Sequence, residues 1–316
     1  MGTINFYELA SKNKRRTAFL IISFLILLGL IGYFIDYIFF GGNKPTFIII
    51  ALIIAGFQSF LGYYYGDKWV LRAVKARKPD LTYLKEKQYV DVVEELCLAA
   101  GLPTPKIYVM DDPSPNAFAT GRDPQHASVC VTTGLLEMMN RDEIMGVIAH
   151  ELSHIRNRDI LTMTMVAALA GAIIILADLA RWALWWGGGG ERKRRRSEGG
   201  GGGNLVVFII LLVLIILAPI FGRLLALAVS RSREYLADAG SAELTRNPLA
   251  LASALEKIAT SPPMKRVSDG VAHLFIADPK KKKLSEKDSL WANLWSTHPP
   301  IWRRIAILKE MAGQYT

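Results

Sequence analysis

His150, Glu151 and His154 stand in the segment VIAHELSHIRNRD, and their types and spacing suit metal-dependent hydrolysis. Residues four apart on an α-helix lie roughly 40° apart around the axis, so His150 and His154 can grip one ion. Glu151, one residue round, can act as general base toward a water held there. Two histidines on one helix face can equally be ordinary buried residues, so a third ligand decides the reading. Catalytic zinc takes three protein ligands and keeps one position open. The segment SRSREYLADAGSA offers Glu234 and Asp238, four apart on one face. Glu234 is the expected third ligand, and Asp238 is expected to hold a ligating histidine through its other ring nitrogen. Taken alone, that segment reads as a solvated face carrying Arg231 and Arg233; the His-Glu pattern tips it toward metal. One Zn2+ per chain is expected.

These residues need elements to position them. Asp142 and Glu143 suit the first turn of the His150 helix, and Ile144, Val147, Ile148, Leu152 and Ile155 form its apolar stripe. Before it, Lys87 to Ala100 reads as an amphipathic helix closed by Gly101 and Pro103. Lys106 to Met110 alternates as a short strand, and Asn116 to Thr120 and Ala127 to Thr132 read as strands around Asp123-Pro124. Strands followed by a His-Glu helix suit a protease whose edge strand pairs with extended substrate. Further on, Leu224 to Leu244 reads as a helix, Asn247-Pro248 as the cap and start of another, and Pro299 to Met311 as the last. His126 and His273 have no partner pattern and are expected at the surface. There is no internal repeat.

Hydrophobic residues make up 51% of the 316-residue chain, and mean hydropathy is +0.25, unusual for a soluble enzyme. The excess lies in four runs: Thr17 to Ile35, Pro45 to Tyr65, Leu161 to Trp186 and Leu205 to Val229. Each approaches or exceeds the roughly 20 apolar residues that cross a bilayer as a helix. Lys12, Lys14, Arg15 and Arg16 precede the first run; Lys68, Arg72, Lys75, Arg77 and Lys78 follow the second. Only Lys44 lies between, which places the N-terminus and His150 on the cytoplasmic side. No small-residue cleavage pattern follows the first run, so a retained anchor is expected. Tyr63, Tyr64, Tyr65 and Trp69, and again Trp182, Trp185 and Trp186, mark interfaces. The net charge of +10 is mostly juxtamembrane, so lipid headgroups rather than nucleic acid are the expected anionic partner. Cys97 and Cys130 require no disulfide.

One conflict stands. The linker at 187–203, GGGGERKRRRSEGGGGG, carries Arg192, Lys193, Arg194, Arg195 and Arg196. If both flanking runs span, these basic residues sit outside, against the positive-inside preference. Asp178 and Arg181 within the third run, spaced to pair, also leave partial insertion open. Either way both metal-binding segments lie on one side, on the order of 10 Å from the membrane at 1.5 Å per helical residue.

The expected organisation is a mainly α membrane protein with four transmembrane helices and a small α+β zincin-like catalytic domain. Its parts are a tail at 1–16, a hairpin at 17–65 and a first catalytic segment at 66–160. A second hairpin at 161–229 and a second catalytic segment at 230–316 follow.

The chain resembles the HtpX family of membrane zinc endopeptidases, related more distantly to the CAAX prenyl proteases. NFYELASKNKRRT, PSPNAFATG, HELSH, SREYLADAGSA and STHPPIWRRI stand in family order across nearly the whole chain, the Gly/Arg linker excepted. The resemblance implies zinc on His150, His154 and Glu234, Glu151 as base, and a gated or zymogen-like state. It also implies quality control of misfolded membrane proteins in the bacterial cytoplasmic membrane, with membrane-protein or unfolded polypeptide substrates. His298 and Arg304 match the final motif: His298 is placed to donate to an oxyanion and Arg304 to orient carboxylates. Asn116, Ala117, Phe118 and Ala119 are the expected substrate-pairing edge. Two rivals are weaker. A metal within the bilayer would need the motif in an apolar run, yet Arg141, Asp142, Glu143, Arg156, Arg158 and Asp159 flank it. A silent metal scaffold would not need Glu151. Nothing in the sequence sets the oligomeric state.

Overall fold

The computed structural model describes Arg15, residues 17–30, Tyr33, Asp36, residues 45–169, 231–264, Val267, residues 270–279 and residues 298–315. The fourth hydrophobic run, most of the third with Asp178 and Arg181, and the linker at 187–203 lie outside these residues. So does most of the tail at 1–16.

Two apolar helices open the chain, α1 (Thr17–Leu30) and α2 (Thr46–Ala73). Among the described residues α2 alone is long and apolar enough to cross a membrane. It continues beyond the expected boundary at Tyr65, so the polar stretch begins as the C-terminal end of this apolar helix. Helix α3 (Leu84–Ala100) follows and ends on Gly101 in the left-handed conformation, φ 63°, which glycine adopts without steric cost.

Strands β1 (Lys106–Met110), β2 (Ala117–Gly121) and β3 (Ala127–Thr132) form one sheet in the order β1-β3-β2. The β1–β3 pair is parallel and the β2–β3 pair antiparallel. Successive side chains of a strand face opposite ways. Ala117, Ala119, Val129 and Val131 accordingly join the core cluster of α3 and the His150 helix, while Phe118 and Cys130 join Val70, Leu71 and Val74 of α2. The sheet is therefore covered on both faces, and β2 and β3 are buried throughout. Cys97 and Cys130 are buried free thiols.

After the short α4 (Thr133–Met138) comes α5 (Arg141–Arg156), the central helix, which carries the His-Glu motif. Asn140 and Glu143 form a capping box in which each side chain accepts from the other residue's backbone N–H. This satisfies two donors that a helix start otherwise leaves open, worth about 1 kcal/mol. All five residues of the expected apolar stripe are buried. A turn at Asn157-Arg158, with Arg158 at φ 58°, leads into α6 (Asp159–Leu169), the described start of the third run.

Helix α7 (Arg231–Thr245) and α8 (Pro248–Thr260) both pack on α5, and α9 (Ile301–Tyr315) packs on α8 and α7. Asn247 caps α8, its side chain accepting from Ala250 N at 3.2 Å. Glycine sets the closeness of these contacts. A Cβ at Gly240 would lie 2.4 Å from Ser153 Oγ, and one at Gly146 would lie 2.8 Å from Leu251 N. Small residues at these positions let α7 and α8 come down onto α5.

Candidate metal centre

The close approach of α7 at Gly240 brings Glu234 over the histidine face of α5. His150 Nε2 and His154 Nε2 are 3.2 Å apart. Glu234 Oε2 is 3.7 Å from the first, and its Oε1 is 3.5 Å from the second. A tetrahedral ion about 2.1 Å from each ligand separates ligand atoms by about 3.4 Å. Taking one carboxylate oxygen, all three ligand atoms lie within 4.8 Å of one another, and all three residues are buried. This group fits a metal ion.

The other ring nitrogens are braced. Asp238 Oδ1 lies 3.0 Å from His150 Nδ1, and Asp159 Oδ2 lies 3.2 Å from His154 Nδ1. Each carboxylate turns its imidazole so that Nε2 faces the site. Arg304, almost wholly buried, donates from Nε and Nη2 to the two oxygens of Asp238 at 2.8 and 2.7 Å. Its Nη1 lies 3.2 Å from Glu234 Oε2. Such a fork-to-fork pair fixes direction as well as charge.

Charge also suits a cation. The buried carboxylates of Glu151, Asp159, Glu234 and Asp238 face the guanidinium groups of Arg233 and Arg304. Burial pushes the Glu151 carboxyl up to about 8, against the opposing charges of His154 and Arg304. Burial also takes His150 down to about 4. For His154, burial is outweighed by the hydrogen bond to Asp159 and the charge of Glu234, which push it up to about 9. Glu234 is likewise buried, yet Arg304 and His154 hold it below the usual carboxylate range. Among the described residues, Glu151 Oε1 and Glu234 Oε2 are buried at this site without a hydrogen-bond partner. An oxygen left so costs free energy unless another group completes it.

The remaining expected residues are also placed. His298 is buried, with a hydrogen bond to the Phe275 backbone and its charge opposite Glu234. The backbone N–H of Ala119 reaches Glu151, so β2 runs past the site. Its outer edge, however, is engaged by the chain itself. Ile276 N donates to Ala117 O at 2.9 Å, Phe275 bridges Phe118 in antiparallel fashion, and their rings meet edge-on at 5.0 Å. Asn116 Nδ2 donates to Ala277 O at 3.1 Å, and Gly121 N donates to Thr164 Oγ1 at 2.9 Å. Arg304 Nη1 holds this strap too, donating to Ile276 O at 2.6 Å.

Sequence reasoning passed over Asp159, Arg233 and the strap. Asp159 lies just past α5 and reaches His154 only because the Asn157-Arg158 turn folds back. Arg233, which the solvated-face reading left outside, is buried, its Nε 3.7 Å from Asp159 Oδ1. His273, expected at the surface, is buried with Nε2 3.0 Å from Met163 O. A carbonyl on α6 supplies the partner that the local sequence lacked. His126 is exposed, as expected.

The sequence profile of peptidase family M48 matches residues 83–312. The chain belongs to peptidase family M48. It is 48% identical over 308 residues to a "Protease HtpX homolog" of Caldanaerobacter subterraneus subsp. tengcongensis, covering 96% of this chain and 97% of that protein. It is 46% identical over 314 residues to another of that name from Thermoanaerobacter pseudethanolicus, covering 98% and 99%. The fold is similar to that in the crystal structure of S. mikatae Ste24p, with TM-score 0.50 and 18% identity over 96% of this chain and 67% of that one. As an HtpX-like M48 peptidase, the protein is a metalloprotease.

Proposed function

We propose that the protein is a zinc endopeptidase that cleaves misfolded membrane proteins beside the cytoplasmic face of a bacterial membrane. The observation that carries the metal assignment is the convergence of two imidazoles and one carboxylate, each imidazole braced by its own aspartate. Nitrogen and oxygen donors in a three-residue set suit zinc. Zinc, when bound, supplies a Lewis acid that polarises a carbonyl and makes water more acidic.

The chain's own groups do the rest. Glu151, whose carboxyl burial holds above its ordinary value, accepts a proton from water in its ionised form and returns it to the leaving amine. His298 is the candidate donor to the developing oxyanion, and Arg304 with Asp238 holds His150 in orientation. The strap at 275–277 must leave the edge of β2 before a peptide can add there as a strand.

Support for the membrane setting comes from α1, α2 and α6. Thr17 Oγ1 at the start of α1 is 2.9 Å from Thr162 Oγ1 near the start of α6. A Cβ at Gly66, in the inner part of α2, would lie 2.8 Å from Thr164 Cγ2. The three apolar helices thus meet near the start of α6, whose Asp159 braces His154. Substrates anchored in the same bilayer would meet the site in two dimensions.

Reconstituted liposomes test this reading. A membrane-anchored reporter with an unfolded segment near the bilayer should be cut faster than the same segment free in solution. Equal rates on the two would remove the case for membrane substrates, and no cutting of either would remove the endopeptidase reading.

A further inference from the structure

Beside the inner end of α2, away from the metal centre, lies a cavity of about 280 Å³ lined by Lys68, Lys106 and Arg122, with Asp67 as its one carboxylate. Three permanent cations against two carboxylates, Asp67 and the Asp123 that pairs with Arg122, leave it electropositive. His126 also borders it but is engaged by Asp123, Nδ1 to Oδ1 at 2.7 Å, and Arg122 Nε is 3.5 Å from the same carboxylate. Tyrosines form the membrane-side wall. Lys68 Nζ sits 5.0 Å from the centre of the Tyr65 ring, and Arg122 Cζ sits 5.2 Å from that of Tyr64. Those contacts steer both cations toward the cavity while leaving charge to spare.

Depth and shape say what fits. About 30 Å of hydrocarbon takes about 20 helical residues, so a span that begins at Thr46 reaches its far interface near Tyr65. The cavity is therefore at headgroup level. Below it, Ile53, Phe57 and Phe60 are 65%, 62% and 54% exposed. With Tyr64 they follow at helical spacings of four, three and four residues, forming one stripe. The Phe60 and Tyr64 rings are 4.6 Å apart, so the stripe runs unbroken into the cavity wall. A cationic cavity above an exposed apolar stripe has the layout of a phospholipid. A free phosphate would use only the upper half.

We propose that this cavity binds the headgroup of an anionic phospholipid, with its acyl chains along the Ile53–Tyr64 stripe. Lys68, Lys106 and Arg122 hold the phosphodiester, and the tyrosine hydroxyls face the glycerol region. The assignment rests on the membrane placement of α2, which flotation with phosphatidylcholine vesicles tests by itself, since the protein should float with or without the cavity cations.

The site is tested on the full chain by native mass spectrometry from micelles doped equally with phosphatidylglycerol and phosphatidylcholine. Wild type should retain phosphatidylglycerol selectively. Substituting Lys68→Gln, Lys106→Gln and Arg122→Gln together should weaken retention roughly fivefold for each cation removed. Exchanging the three for the other basic residue (Lys68→Arg, Lys106→Arg, Arg122→Lys) should preserve it. Should the triple glutamine variant fail to fold, Lys68→Gln alone, at an exposed position, should still give a several-fold loss. Equal retention of both lipids, or retention unchanged by Lys68→Gln and by the triple variant, would overturn the proposal. Displacement of the lipid by millimolar inorganic phosphate would mark a free-anion site and overturn it as well.

Discussion

Glu151 combines a full burial cost with an oxygen that no described residue satisfies. Its replacement should therefore harm the reaction more than the fold. Glu151→Gln should lower kcat by roughly 10²–10⁴-fold while metal content and thermal unfolding stay near wild type. The aspartates behind the histidines should show the opposite pattern. Asp159→Asn and Asp238→Asn should each weaken zinc affinity roughly 10–100-fold, read by competition with a chromophoric chelator; unchanged affinity would mean that the braces do not orient the ligands. At this scale much of the site is legible. His150, Glu151 and His154 are fixed by helical spacing, and Glu234 and Asp238 by the same four-residue rule in a distant segment. Asp159 is not legible, because its reach depends on a left-handed residue at Arg158 that sends the chain back toward His154. Arg304 is half legible: its charge suits carboxylates, but its choice of Asp238 is made by how α9 packs.

At the level of elements, α5 is fixed at its start by Glu143. This side chain closes the capping box and accepts from Ser253 Oγ at 2.6 Å and Lys257 Nζ at 2.7 Å. Burial alone would raise its pKa, but Lys257, Ser253 and the Asn140 backbone hold it below the usual carboxylate range. A depressed folded-state pKa contributes stability above the unfolded value, about 4.3, and that contribution is lost as pH falls through the folded value. Glu143→Gln should cost about 1–3 kcal/mol at neutral pH, and the gap to wild type should close on acidification below about pH 4, followed by urea unfolding. The strap gives a second test. Phe275→Ala removes the ring that packs on Phe118, so the edge of β2 should be vacated more readily and kcat/KM toward an unfolded polypeptide should rise several-fold. A fall in kcat/KM at unchanged zinc content would show instead that the strap helps to build the site. The three strands and α5 are plain from turn residues and from the spacing of apolar residues, whereas the short α4 between them is not. The strap is not, because Leu274 to Ala277 carries no strand-length run and pairs with β2 only through residues that precede it by more than a hundred positions.

For the molecule as a whole, hydrophobic runs announce a membrane protein, and α2 meets the length and apolarity that crossing requires. The same runs do not reveal that α1, α2 and α6 meet at Thr17, Gly66 and Thr162, since that depends on small residues at the contacts. A cysteine placed within 187–203 should be labelled only from outside the cell if the third and fourth runs both span; labelling only from the cytoplasm would show that they do not. Neither outcome moves the metal centre, whose two halves lie on one side in both cases. The most direct test of that centre is paired zinc and activity measurement on the purified full chain. Wild type should hold one zinc per chain and cut an unfolded protein substrate, lose cutting on chelation and regain it with zinc. Glu151→Gln should hold the same zinc and cut at least about a hundredfold more slowly. Full cleavage by Glu151→Gln, or by wild type stripped of metal, would contradict the assignment of His150, Glu151, His154 and Glu234.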